Sequence, residues 1–231
     1  MTITTLTLIE ARVLGTLMEK ARTVPDSYPL SLNALVLGCN QKTSREPITQ
    51  ISDDEALNAL SALKTRSLVF ENHNGRTARY EHNFQRAVGV GEPAAVLLGL
   101  LMLRGPQTAG ELRINAERWY RFADTPAAEN CLKALLAEGE ERANPLLGRL
   151  PRLAGAREQR WVHLLCVPID LRADAAAVES AGQPAGSAEP GSNELQTLKD
   201  RIAALEIGLA SLCEQLGVSL PGGDKNVPTA T

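Results

Sequence analysis

Lys42 and Arg45 stand in the stretch CNQKTSREP, residues 39–47, with Gln41, Thr43 and Ser44 beside them. Two cations among hydroxyl and amide donors form a set that can grip an anion, above all a phosphate oxygen. The same stretch also suits a structured connector. Glu46 or a neighbouring acid is a ready partner for Arg45, and Pro47 keeps the preceding helix from running on. The two readings are compatible.

More cations gather elsewhere. Arg76 and Arg79 flank the Asn74-Gly75 dipeptide, and Arg149, Arg152, Arg157 and Arg160 fall within twelve residues of one another. Arg113, Arg118 and Arg121 accompany the run TAGELRINAERW. On a shared face, these side chains would make several phosphate contacts, each adding to a salt-dependent affinity. Against that stands a near balance of charge, 21 cations to 19 acids over residues 1–172. A mixed, solvated surface has the same composition.

Other chemistries find little support. His73, His82 and His163 have no serine or cysteine in a nucleophile setting. His73 and His82 could meet across a hairpin, but the spacing of cysteine or carboxylate ligands that a metal needs is missing, so exposed histidines are expected. GVGEPA, residues 89–94, has the outline of a glycine-rich dinucleotide loop. Such a loop follows a buried strand, and HNFQRAV is not one. Pro93 there reads as a helix start. The carboxylates Asp53-Asp54-Glu55 and Glu138–Glu141 read as solvated helix ends. No catalytic, metal-binding or cofactor-binding residue is expected, and no enzyme.

Composition narrows the fold. Hydrophobic residues are 44% of the 231 and aromatics only 3%, so a core must be built from Leu, Ala and Val, which favours helices. The net charge of −3 excludes a uniformly basic nucleic-acid coat. Four scattered cysteines without a CxxC pair suggest neither zinc nor a disulfide framework, as in a reduced cytoplasm. The most apolar run, AAVLLGLLML at 94–103, is half a membrane span.

Helix starts are marked by capping boxes at Thr7/Glu10, Ser52/Glu55 and Thr108/Glu111, and by Thr125-Pro126 with proline at the first helical position. A helix is expected from about Leu8 to Ala21 and a short second one near Leu32–Leu37. A third lies over DDEALNALSALKTR, and a hairpin over LVFENHNGRTARYEH turns at Asn74-Gly75. Three helices and a hairpin are the layout of a winged helix. The order then returns in PAAVLLGLLMLRG, TAGELRINAERW, TPAAENCLKALLAE and LLGRLPRLAGAREQRWVHLL. ARVLGTLM at 11–18 lies over AVLLGLLM at 95–102, and Asn58 and Leu60 correspond to Asn130 and Leu132.

The expected fold is therefore mainly α with small β-hairpins. Two tandem winged-helix domains occupy residues 1–88 and 89–172. An Ala/Gly/Pro/Ser linker follows at 173–193, then a heptad helix at 194–217 and a disordered tail at 218–231. Leu195, Leu198, Ile202, Leu205, Leu209, Leu212 and Leu216 alternate steps of three and four, a coiled-coil seam. Glu194 with Lys199, and Arg201 with Glu206, would pair across a parallel dimer. A helix this short needs a partner to be stable; docking on its own globular body is the alternative to self-association.

CNQKTSREP, RGPQTAGELR, the duplicated layout and the terminal leucine heptads together resemble the YceH-like family of uncharacterised bacterial proteins, over roughly residues 3–217. The resemblance implies a cytosolic protein of two winged-helix domains and carries no activity or catalytic residue with it.

Two functions remain from different classes. One is a dimeric regulator that binds double-stranded DNA through Lys42, Arg45, Arg76, Arg79, Arg149, Arg152, Arg157 and Arg160. The other is an adaptor that docks an unidentified protein and never touches nucleic acid. The third helices do not look like strong base readers. The first turns Asp54, Glu55, Asn58, Ala62 and Thr65 outward, and the second Pro126, Asn130, Lys133 and Ala137. Asn58 and Asn130 suit an adenine edge or plain water.

Overall fold

The computed structural model describes residues 5–73, 77–140, 145–152 and 158–166. The first half runs α1 (Leu8–Thr23), a 3-10 turn (Pro25–Ser27), β1 (Leu30–Ser31), α2 (Leu32–Cys39), α3 (Asp53–Thr65), β2 (Val69–Asn72), β3 (Arg79–His82) and α4 (Phe84–Val88). The second half runs α5 (Glu92–Arg104), α6 (Ala109–Ala116), α7 (Thr125–Glu140), β4 (Leu147–Arg149) and β5 (Trp161–His163). The fold is mixed α and β, with small antiparallel sheets. Among the described residues no helix is long and apolar enough to cross a membrane.

Local chemistry sets the helix starts. At Thr7/Glu10, Ser52/Glu55 and Thr108/Glu111 both halves of the capping box form, each side chain meeting the other residue's backbone N–H. The start of α7 lies one residue earlier than its sequence suggests. Asp124, not Thr125, accepts from the Ala127 N–H at 2.7 Å, because a carboxylate competes well for free amide protons at a helix N-terminus. Gly91 precedes α5 and Pro93 sits in its first turn, so GVGEPA is a helix entrance. The short α4 adds to the expected elements. It ends on Gly89 at φ 72°, the left-handed conformation that glycine adopts without strain.

Both expected hairpins are present. β2 pairs antiparallel with β3, Val69 opposite His82 and Asn72 opposite Arg79. β1 adds to the far side of β3, giving the order β1-β3-β2. In the second half β4 pairs with β5, Leu147 opposite His163. The tip at Asn74-Gly75, the linker at 173–193 and the heptad positions Leu195, Leu198, Ile202, Leu205, Leu209, Leu212 and Leu216 lie outside the described residues.

One core passes through both halves. Every residue from Glu10 to Glu19 of α1 is buried, as is every residue from Ala95 to Leu103 of α5. A helix covered all round is an interior element, not a surface amphipathic one. The two meet where Gly15 faces Gly99, the pair matched in ARVLGTLM and AVLLGLLM. A Cβ on Gly15 would stand 3.0 Å from Leu103 Cγ and 3.5 Å from the Gly99 carbonyl. A Cβ on Gly99 would stand 2.8 Å from the Trp119 ring. The repeated glycines thus set how closely the two leading helices approach. The chain start closes the body: the Leu6 N–H donates to the Leu165 carbonyl at 2.7 Å, beside the second hairpin.

Gly99→Ala should therefore lower the free energy of unfolding in urea by about 1–3 kcal/mol through overpacking. At Gly110 of α6 a Cβ would meet nothing nearer than Thr108 Oγ1 at 3.9 Å. Gly110→Ala should accordingly raise stability by about 0.5–1 kcal/mol.

Candidate functional site

The loop after α2 is held from every side. Arg45 is buried, its side chain 0% exposed, and its guanidinium meets the Glu19 carboxylate of α1 at 2.6 and 3.3 Å. Its remaining donors reach the Gly38 carbonyl at 3.1 and 2.8 Å and the Ser44 carbonyl at 2.8 Å. Burial alone would raise the Glu19 carboxyl. The hydrogen bonds and charge of Arg45, helped by Lys20, more than offset this, and the group lies below its ordinary range. Arg12 donates to the Pro47 carbonyl at 2.6 Å. The Glu46 N–H donates to the Leu103 carbonyl at 2.8 Å, and Arg104 to Ser44 Oγ at 2.7 Å, so the loop also grips α5. Asn40 exchanges two hydrogen bonds with the backbone of Ile51, fixing the approach to α3. Arg45 is thus corrected from anion ligand to buried connector: every donor is spent inside the protein, and its acid is Glu19, not Glu46. Lys42 and Thr43 of the same loop stay exposed.

A second part of the repeat emerges in the hairpins. Arg79-Tyr80-Glu81-His82 of β3 matches Arg160-Trp161-Val162-His163 at β5. Pro29-Leu30-Ser31 before α2 likewise matches Pro106-Gln107-Thr108 before α6. Arg79 donates to the Pro29 carbonyl at 2.8 Å, and Arg160 to the Pro106 carbonyl at 2.8 Å. Tyr80 lies opposite Leu30, and Trp161 exchanges backbone bonds with Gln107 at 3.1 and 2.7 Å. Ser31 and Thr108 then cap α2 and α6. In each half, then, an arginine on the hairpin brackets the short segment that launches the second helix, β1 in the first and the isolated bridge at Gln107 in the second. Arg160 also pairs with Glu111 at 3.2 Å. These arginines have structural occupations that charge counting missed. The signal R-aromatic-x-H, present twice, could have revealed them.

His82 and His163 end the matched strands, and His82 is half-buried, not the exposed residue expected. His163 is buried, its Nδ1 without a hydrogen-bond partner, and burial pushes it down to about 4. Burial and the nearby Arg22 charge push His82 down to about 4. His73 is exposed and lies 3.4 Å from Glu71. Among the described residues no His, Cys, Asp and Glu cluster fits a metal ion.

The remaining cations divide unevenly. Arg149 and Arg152 are exposed on the second hairpin, and Arg113, Arg118 and Arg121 have no ion-pair partner among the described residues. The Arg149 guanidinium rests on the Trp161 ring at 4.3 Å, an arrangement that holds the charge at the surface without neutralising it. Arg76 and Arg157 lie outside the described residues. On α3 the exposed face carries Asp53, Asp54, Glu55, Leu57, Asn58 and Thr65, with Ala62 half-buried. On α7 it carries Pro126, Asn130, Lys133 and Ala137. The acidic helix start belongs to the first half, where Arg86 is also exposed, and most of the arginines without an ion-pair partner among the described residues belong to the second.

A family model described as "Protein of unknown function, DUF480" matches residues 6–156. A UPF0502 protein of Polaromonas sp. strain JS666 is 58% identical over 224 residues, covering 96% of this chain and 95% of the relative. One from Albidiferax ferrireducens is 56% identical, covering 94% of this chain and 93% of the relative. One from Burkholderia multivorans is 47% identical, with 96% and 94% covered.

Removing one partner of the buried pair should be costly. Arg45→Ala is expected to lower stability by about 3–5 kcal/mol in urea unfolding, and Arg45→Met with Glu19→Met by much less, since no charge is then stranded. Acid should also weaken the fold. The unfolded chain protonates His82 and His163 near 6.5, while the folded chain refuses those two protons until about 4. Stability is therefore complete above about pH 6.5 and declines as pH falls from there towards 4. The slope reaches at most about 1.4 kcal/mol per pH unit for each histidine. His163→Leu should flatten it.

Proposed function

The chain belongs to the DUF480 family, whose relatives here are bacterial UPF0502 proteins, and from that premise we propose a non-catalytic, cytoplasmic tandem winged-helix protein that binds double-stranded DNA chiefly through its second repeat. Each repeat has the winged-helix order of three helices and a hairpin. The hairpin is tied to the segment before the second helix, by β1 in one copy and by the Gln107–Trp161 bridge in the other. The DNA reading is carried by one observation: the described cations without an ion-pair partner concentrate in the second repeat. There Arg113, Arg118, Arg121, Arg149 and Arg152 accompany a third helix whose exposed face carries Lys133, and Arg149 and Arg152 line a cleft with Thr125 and Glu129 of that helix. A third helix enters the major groove while the wing meets the backbone. Arg149 and Arg152 would be the wing's phosphate ligands, and Lys42 a further one from the first repeat.

A different observation favours the adaptor. Three carboxylates at the start of α3 stand beside Leu57, which is 42% exposed. They suit the helix dipole but repel phosphate. In this second reading α3 of the first repeat docks a protein, and the chain needs no nucleic acid. Under either reading the heptad residues 194–217 join two copies.

Duplex binding measured by fluorescence anisotropy should weaken steeply with salt. Replacing Arg149 and Arg152 with Ala should reduce the slope of log K against log salt by about 0.9 for each phosphate no longer neutralised. Arg79→Ala and Arg160→Ala should reduce stability more than affinity. No duplex binding even at low salt, together with a protein partner that depends on Leu57, would establish the adaptor instead. Deleting 194–231 should halve the mass seen in sedimentation; an unchanged mass would remove the heptads as the joining element.

A further inference from the structure

The second hairpin and the first turns of α6 and α7 enclose a cleft of about 260 Å³. Its walls include Thr125 and Glu129 of α7, Arg149 and Arg152 at the end of β4, Glu158 before β5, and Trp161. Two arginines and two glutamates thus line one small volume. Arg152 and Glu158 have no ion-pair partner among the described residues, so their charges are open to a ligand. Arg149 is steered by its stacking on Trp161 and by a bond to Gln159 at 3.4 Å. Glu129 is engaged by Lys133 at 2.9 Å, a surface pair one helical turn along, which a ligand displaces at little cost.

Charge decides what fits. A bare phosphate would gain from the arginines and be repelled by Glu129 and Glu158. A bare cation would meet the reverse. A molecule carrying both signs a few ångströms apart satisfies all four groups. The volume lies below the roughly 300–1,000 Å³ of pockets that hold drug-sized ligands, which keeps the occupant small. We propose that this cleft is a binding site for a free α-amino acid. Its carboxylate lies toward Arg149 and Arg152, its ammonium toward Glu129 and Glu158, and the Thr125 hydroxyl is available to its polar edge. A peptide offers the same two charges only at its opposite ends, so the free amino acid is the better match. Because the site uses the wing arginines, an occupied cleft would also draw them away from phosphate. The site itself does not depend on any nucleic-acid function.

The test uses the full chain, without nucleic acid, in isothermal titration calorimetry and thermal-shift measurements. Common L-amino acids are added one at a time, with glycylglycine, acetate, methylammonium and inorganic phosphate as comparators at matched ionic strength. At least one amino acid should bind at a one-to-one ratio and raise the melting temperature, while acetate and methylammonium do not. Arg152→Ala and Glu158→Gln, both at exposed positions, should melt like the parent without ligand. Each should weaken amino-acid binding by roughly tenfold or more, as expected when one charged partner is removed. The proposal is overturned if no amino acid binds, or if binding survives both changes. Phosphate or glycylglycine binding as tightly as the best amino acid would overturn it too. Because no duplex is present, failure here leaves the duplex experiment standing, and the converse holds.

Discussion

The Arg45–Glu19 ion pair is the constraint around which the rest of the molecule is arranged. A guanidinium removed from water costs several kcal/mol unless its donors and its charge are both answered. Here a carboxylate from α1 answers the charge, and the Gly38 and Ser44 carbonyls take the other N–H groups. Meeting that demand brings the middle of α1, the end of α2 and the loop before α3 to one point. The same loop then reaches α5 through Glu46 and Arg104. A stretch that by its residue types could hold phosphate is instead a four-way joint, with Lys42 and Thr43 at its tip left to solvent.

From that joint follows the relation between the two halves. α1 and α5 are each buried along most of their length and cross at Gly15 and Gly99, so the leading helix of each repeat serves as core for the other. Opposite them, each hairpin is bracketed by its own arginine to the residue before the second helix. The two copies thus agree in their joints more than in their faces. Those joints hold each hairpin to the helices of its own repeat.

The exposed faces diverge, and there function can differ between the copies. The first repeat offers an acidic helix start with an exposed leucine. The second offers arginines without ion-pair partners among the described residues and a small mixed-charge cleft at the hairpin base.

Much of the scaffold was legible in the chain. Capping boxes, periodic leucines and β-prone runs act between neighbours in sequence, so Thr7/Glu10, Ser52/Glu55 and Thr108/Glu111 announced their helices, and both hairpins fell where expected. The glycine at the centre of ARVLGTLM and AVLLGLLM was visible as a repeat, though not as a helix crossing. By itself, then, the sequence determined the order of elements, their ends and their duplication. Only the tertiary structure decided which charges are available. Arg45 meets Glu19 across 26 residues, and Arg160 meets Pro106 across 54. A cation looks the same in the sequence whether water or a distant carboxylate satisfies it. Local interactions write themselves into adjacent residues, whereas the fate of a charge depends on groups that only folding brings near.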